Sequence, residues 1–338
     1  MTPRLRIAMA GAGFASGLHL AGWKRLDNAE VVAICDPDEE KATARAREFG
    51  VADVFADTEQ MLDAIKPDAI DIVAPMAAHV SLCHVAAERG IDILCQKPLA
   101  PNLELARSLV HSIGGKVRLM VHENWRFRAQ YRQIKRWLDG GQLGAPVSCV
   151  MQMRSSGLLE NEHGVRPQLV RQPFFAQLER LLIGEVLIHQ LDVLRWLLGP
   201  LVVIAARSGR LCPAVRGEDH AVMVLEGNHC WAMLEGNLAA PGALPTPSDR
   251  LELIGTKGSA LFEERVVRLR GEREESIELD LVAGYGDSYA AAIAHFASAL
   301  ISGETFETDA HENLHTLVLV EDAYTKARQL QSNPWARP

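Results

Sequence analysis

Between residues 5 and 121 the chain repeats one pattern, a short run of almost purely apolar residues followed by an amphipathic stretch. The runs fall at 5–10, 31–35, 69–74, 91–95 and 117–121, and segments such as 39–49 and 102–112 carry helical spacing between them. A strand with one wet face alternates apolar and polar residues. A strand apolar throughout is buried on both faces, which is the condition of a parallel sheet covered by helices. The pattern therefore predicts an α/β fold with a doubly wound parallel sheet over residues 1–123.

Past residue 124 the texture changes. A helical segment at 129–138 ends at Asp139-Gly140-Gly141, a strand follows at 147–154, and residues 155–177 are polar and irregular. An apolar helix is expected over 181–198, then strands at 202–208, 220–225 and 230–234, two more around the turn Gly255-Thr-Lys-Gly258, and helices at 288–301 and 310–329. Strands in succession imply an α+β domain over 124–338 with a large, mostly antiparallel open sheet. The strands 221–225 (Ala-Val-Met-Val-Leu) and 230–234 (Cys-Trp-Ala-Met-Leu) are apolar on both sides, so the far face of that sheet is expected to be covered. Another subunit is one cover and the chain's own loops are the other.

A length of 338 residues suits two domains. The formal net charge of -8 argues against a nucleic-acid partner, because neutralising phosphates requires a basic surface. No apolar run reaches the roughly 20 residues that cross a bilayer, and a strand begins almost at once, so neither membrane insertion nor a signal peptide is expected. Six cysteines are scattered without C-x-x-C spacing, as small core residues are, which points to a reducing cytoplasmic compartment.

The first run feeds into Gly11-Ala-Gly13-Phe14-Ala15-Ser16, and a helix follows. In a Rossmann dinucleotide site the first glycine permits the turn and the second lets the backbone approach a pyrophosphate at the helix N-terminus. Ser16 stands where a third glycine is usual and predicts slightly looser helix–strand packing. Asp36 ends the second run, near the spacing of roughly 20 residues at which a carboxylate meets the adenosine ribose. The acids of Pro37-Asp38-Glu39-Glu40 would repel a 2′-phosphate, so NAD is favoured over NADP.

Lys97-Pro98 closes the run at 91–95. A lysine at a strand end is commonly a solvated surface group. Here the preceding strand is buried by pattern, and the carboxyl ends of parallel strands face the ligand crevice. A lysine there can hydrogen-bond a reacting hydroxyl and stabilise alkoxide charge during hydride transfer. Within 181–198, Glu185, His189 and Asp192 fall at i, i+4 and i+7, one stripe at 100° per residue. That stripe is either a general base with its orienting partners or the wet face of an amphipathic helix.

With these residues in view, the chain resembles the glucose–fructose oxidoreductase and inositol dehydrogenase (Gfo/Idh/MocA) family along its whole length. The marks are Gly11-Ala-Gly13 with Asp36, Ala74-Pro75-Met76-x-x-His79, Gln96-Lys97-Pro98, Glu123-Asn-Trp-Arg126-Phe and Glu185-x-x-x-His189-x-x-Asp192. The resemblance implies an NAD-dependent oxidoreductase acting on a sugar or polyol. Lys97 and His189 would meet at the nicotinamide, His189 taking the hydroxyl proton, Lys97 binding the same oxygen and touching the cofactor, and Glu185 orienting or supplementing the base. Gly11, Gly13, Phe14, Ala15, Asp36, Ala74, Met76, His79, Gln96 and Lys97 would hold the cofactor. Gln96 departs from the glutamate common in the family, which drops a charge beside the lysine. Arg171-Gln-Pro-Phe-Phe and Phe306-Glu-Thr-Asp309 look like a branch with pentose dehydrogenases of the D-apiose dehydrogenase type. Arg126, Arg171, Gln172 and Asp192 are then candidate substrate contacts. The resemblance also implies a homodimer or homotetramer built through the second sheet.

His311-Glu-Asn-Leu-His315 matches the H-E-x-x-H pattern of zinc proteases. It opens the last helix without a recognisable third ligand, and no metal is expected. Two other functional readings stand beside the dehydrogenase: a glycosidase that retains and recycles NAD, and a non-catalytic NAD or ligand sensor.

Overall fold

Each apolar run of the first third becomes a strand in the computed structural model, which describes residues 4–332. The strands are β1 (Leu5–Ala10), β2 (Ala29–Cys35), β3 (Asp53–Phe55), β4 (Ala69–Ile72), β5 (Asp92–Gln96) and β6 (Leu119–His122). They form one parallel sheet in the order β3-β2-β1-β4-β5-β6, which reverses direction between β1 and β4. That reversal is the switch point at which open α/β sheets bind ligands. β3 was not foreseen, because three residues with no buried side chain leave no apolar run.

Helices α1 (Phe14–Trp23), α2 (Glu39–Phe49), α3 (Thr58–Ile65), α4 (His79–Glu88) and α5 (Leu103–Ile113) connect these strands. The Asp38, Asp57 and Asn102 side chains cap α2, α3 and α5 by accepting backbone N–H groups of their first turns. Gly50 and Gly114 end α2 and α5 in the left-handed conformation.

Next come α6 (Ala129–Asp139), β7 (Pro146–Arg154), a short α7 (Pro167–Arg171), a π-helical turn (Leu182–Val186) and α8 (Ile188–Leu198). Strands β8 (Val202–Gly209), β9 (His220–Glu226), β10 (Trp231–Asn237), β11 (Ser248–Gly255), β12 (Gly258–Glu263), β13 (Val266–Gly271) and β14 (Glu275–Glu278) follow. With β7 they make an eight-stranded sheet, β14-β13-β12-β11-β7-β10-β9-β8, antiparallel except at β7–β10. One face buries Cys149, Met151, Leu225, Leu234 and Leu253, while the other exposes Val202, Ile204, Val222, Trp231 and Ile254. The Asp249 carboxylate accepts from Tyr131 of α6 at 2.6 Å and from Gln190 of α8 at 3.0 Å, which ties both helices to β11. The expected continuous helix over 181–198 is instead a π turn leading into an α-helix.

Helix α9 (Leu281–Ser302) places Ile293, Phe296 and Ala297 in one core with Ile7, Met9, Trp23 and Ile34. A Cβ added at Gly22 of α1 would lie 2.7 Å from Ile293 Cδ1, so the two helices are in close contact. Burying Ile293 and Phe296 contributes roughly 1.5–3 kcal/mol each. Val121 N–H of β6 donates to the Thr308 carbonyl at 2.8 Å, and the Thr308 hydroxyl returns a bond to the Val121 carbonyl. The last helix is α10 (Ala310–Ser332).

Because of this return, the described chain forms two compact units, residues 4–128 with Val282–His315, and Ala129–Leu281 with residues 316–332. A single boundary at 123/124 would have put Val282–His315 in the second unit, but their apolar residues complete the first core. Among the described residues, no helix is long and apolar enough to cross a membrane.

Candidate active site

The turn after β1 is possible only for glycine. Gly11 has φ +110°, and a Cβ there would lie 2.4 Å from the Val73 carbonyl oxygen. Gly13 is the opposite case, with nothing within 4 Å of its ideal Cβ. It precedes α1, whose first turn has no side-chain cap and no acidic residue. Open N–H donors and the helix dipole there suit an anion, and the open space at Gly13 lets a pyrophosphate approach.

Asp36 braces this loop. One carboxylate oxygen accepts Ala12 N–H at 2.8 Å and the other accepts Asp38 N–H at 2.9 Å. Each oxygen keeps a lone pair for a ribose hydroxyl. Ser16 is buried and donates to the Gly13 carbonyl at 2.6 Å, so it ties the loop to α1 where looser packing was expected. Phe14 is exposed and Ala15 half-buried on the same turn. These residues fit a dinucleotide.

Lys97 follows β5 and is half-buried, and its peptide to Pro98 is cis. Its backbone N–H donates to Gln96 Oε1 at 2.9 Å. His79, buried at the start of α4, sets Nδ1 2.8 Å from the Pro98 carbonyl and Nε2 3.0 Å from the Ala74 carbonyl. It staples the turns after β4 and β5 together. Met76 opens the 3-10 turn Met76–Ala78 between them. Gly11, Gly13, Asp36, Ala74, Met76, His79, Gln96 and Lys97 therefore share the carboxyl edge of one sheet. Arg126 is also in this unit but deeply buried, donating to the Glu307 carbonyl at 2.9 Å, with the Glu312 carboxylate 3.8 Å away.

In the second unit, the π turn is closed by Leu187 N–H to the Leu182 carbonyl at 2.7 Å, one residue longer than an α-helical bond. Two partners hold its open amides: Ile183 N–H donates to Glu218 Oε1 at 3.0 Å and Gly184 N–H to the Tyr324 hydroxyl at 3.1 Å. Tyr324 in turn donates to Glu218 Oε1 at 2.6 Å. Burial, and then the Glu218 carboxylate, push the Tyr324 phenol well above its ordinary value, so it stays a donor. The π turn carries Glu185, so the 100° spacing that put Glu185 in line with His189 does not hold across it.

His189 and Asp192 lie on α8, and both are buried. That excludes the solvated-face reading of the pair. Asp192 accepts the Thr316 hydroxyl at 3.0 Å. Arg171 is exposed and donates to Gln168 Oε1 at 2.9 Å, and Gln172 Oε1 accepts from Gln168 at 2.6 Å, so these two belong to one amide cluster in the irregular stretch.

Residues 5–122 match the Gfo/Idh/MocA model, described as an oxidoreductase family with an NAD-binding Rossmann fold, and residues 131–261 match the Gfo/Idh/MocA C-terminal domain. The chain belongs to the Gfo/Idh/MocA family. It is an NAD-dependent oxidoreductase. A D-apiose dehydrogenase of Paraburkholderia graminis is 32% identical over 96% of this chain and 88% of its own length. A scyllo-inositol 2-dehydrogenase (NAD(+)) of Bacillus subtilis is 25% identical over 98% of this chain and 97% of its own. Among solved structures, an oxidoreductase from Agrobacterium radiobacter in complex with NAD+, L-tartaric acid and magnesium superposes with a TM-score of 0.89 at 27% identity, over 96% of each chain.

Sequence reasoning missed two sets of polar residues: His19 and Asp71 behind Gln96 in the first unit, and Glu218 and Tyr324 at the π turn in the second. A signal for Asp71 was present, since a carboxylate inside a run apolar on both sides, Ala69-Ile-Asp71-Ile, must have buried partners. Glu218 and Tyr324 gave none. Among the described residues, no group of three or more His, Cys, Asp or Glu side chains could hold a metal ion.

Proposed function

We propose that the protein oxidises one hydroxyl of a sugar or polyol, with an aldopentose such as D-apiose the first substrate to test. NAD, when bound, supplies the hydride acceptor. The Lys97 ammonium group donates to the reacting hydroxyl oxygen and stabilises the charge that builds there as the carbinol hydrogen departs. His189 accepts the hydroxyl proton and Glu185 orients the imidazole. Arg171 and Gln172 contact the remaining hydroxyls, with Arg126 and Asp192 supporting them.

The observation that carries this reading is Lys97 on the carboxyl edge beside the glycine loop, in a chain whose full-length relatives include D-apiose and inositol dehydrogenases. No observation favours a glycosidase or a sensor. The test is absorbance at 340 nm with NAD and a panel of aldoses and polyols. Activity with one of them is expected, and Lys97→Met should lower turnover by about 10²–10³-fold while NAD still binds. Silence across the panel, or an active Lys97→Met enzyme, would refute the proposal.

Two finer readings accompany it. The outer face of the eight-stranded sheet, with Val202, Ile204, Val222, Trp231 and Ile254 exposed, supports a homodimer or homotetramer through that face. Light scattering of wild type and Trp231→Glu should show an assembly that the variant weakens, and a monomeric wild type would end this reading. All six cysteines are free and five are buried, which supports a reducing, cytoplasmic setting.

A further inference from the structure

Behind Lys97 lies a buried polar chain that the reaction itself does not use. His19 and Asp71 are fully buried, and His19 Nδ1 lies 2.8 Å from Asp71 Oδ2. Trp23 Nε1–H donates to the same oxygen at 2.7 Å. On its other side, His19 Nε2 lies 2.8 Å from Gln96 Nε2, which also sits 3.4 Å from His122 Nδ1. The His19 and His122 rings lie 4.2 Å apart, and Tyr289 packs on both.

The hydrogen positions follow from one fixed point. The Lys97 backbone N–H can only donate, so the Gln96 atom it meets is the carbonyl oxygen. The Gln96 amide nitrogen is then the end facing the histidines, and it too can only donate. His19 Nε2 must therefore be a bare acceptor, and His19 carries its proton on Nδ1, aimed at Asp71. Each link has one allowed polarity, running from Lys97 through Gln96 and His19 to Asp71.

We propose that His19, oriented by Asp71 and Trp23, is a positioning residue for Lys97, acting through the Gln96 amide. This rests on the reading of Lys97 as catalytic. Gln96 suits this arrangement as a glutamate would not. A glutamate at that position offers only acceptors once ionised, so both histidines would have to turn a proton toward it. Glutamine instead offers its amide donor to both ring nitrogens, so His19 keeps its Nδ1 proton on Asp71. The chain thus sets the Lys97 backbone with a single buried carboxylate, Asp71, in place of two.

The test begins with 15N-histidine-labelled wild type, with His19 assigned by its loss in His19→Gln. Two-bond 15N–1H correlations should show His19 protonated on Nδ1 and bare on Nε2, and Gln96→Glu, which replaces the amide donor with an acceptor, should bring a proton onto Nε2. A wild-type His19 bare on Nδ1, or doubly protonated, overturns the proposal without touching the reading of Lys97.

Kinetics form the second arm. His19→Leu should lower kcat by about 10- to 100-fold, with the Kd for NAD changed by about twofold or less. His19→Gln, which can still accept from Gln96 and donate to Asp71, should recover most of the loss. Unchanged turnover in His19→Leu overturns the inference, as do equal losses in both variants matched by NAD affinity and melting temperature. A fully active Lys97→Met enzyme would instead sink the functional reading, while the tautomer would still judge the geometry.

Discussion

The glycine loop after β1 and the π turn before α8 are both short and irregular, yet they are built in opposite ways. The loop is shaped by its own residues and immediate surroundings: Gly11 because no side chain fits beneath Val73, Gly13 because nothing crowds it, and Ser16 because it bonds back to Gly13. The π turn contains nothing locally unusual in Leu182-Ile-Gly-Glu-Val186. Its amides are held by Glu218 and Tyr324, side chains distant in sequence. A locally built site can be recognised in a string of residues, whereas a remotely held one is recognised only when its holders are seen.

Substitutions can break or sharpen this contrast. The largest effect is expected from Gly11→Val, which sets a β-branched residue at φ +110° with its Cβ 2.4 Å from a carbonyl oxygen. A loss of about 3 kcal/mol or more of stability should follow, read by chemical denaturation. A normally stable variant would mean the loop is not locally dictated.

Tyr324→Phe should have an intermediate effect. It removes the acceptor for Gly184 N–H and a donor to Glu218, so a loss of about 1–3 kcal/mol is expected, with a fall in kcat as Glu185 shifts. Unchanged stability and turnover would show that the π turn holds itself.

The smallest structural effect belongs to Gly13→Ala. Its φ of -73° suits alanine and its Cβ meets nothing, so melting should stay within about 1 kcal/mol of wild type. NAD affinity should nevertheless fall by about tenfold, near 1.4 kcal/mol, because the methyl fills the space a pyrophosphate needs. Calorimetric titration separates the two outcomes.

The parallel sheet was legible because burial on both faces leaves no choice but continuous apolar runs, as at Ile7, Met9 and Ile34. The edge strand β3 escaped because its residues are not buried. The open sheet of the second unit was foreseen, but β13 and β14 lack long apolar runs and were missed. His189 and Asp192 were visible as a pair on α8, whereas the displacement of Glu185 was not, since five-residue spacing leaves no mark in composition. The return of α9 to the first core was equally hidden, because Ile293 and Phe296 would read the same against any apolar partner.

Residue order was sufficient for the strand-and-helix alternation, the positions of the glycine loop and Lys97, and the choice of NAD over NADP. These rest on steric and solvation rules that act over a few neighbouring residues. Three-dimensional packing alone decided which unit α9 joins, that Leu182–Val186 winds as a π turn, and that Gln96 is held between two histidines backed by Asp71. Those outcomes depend on hydrogen-bond partners and apolar surfaces brought together from distant parts of the chain, and short-range pattern carries no information about them.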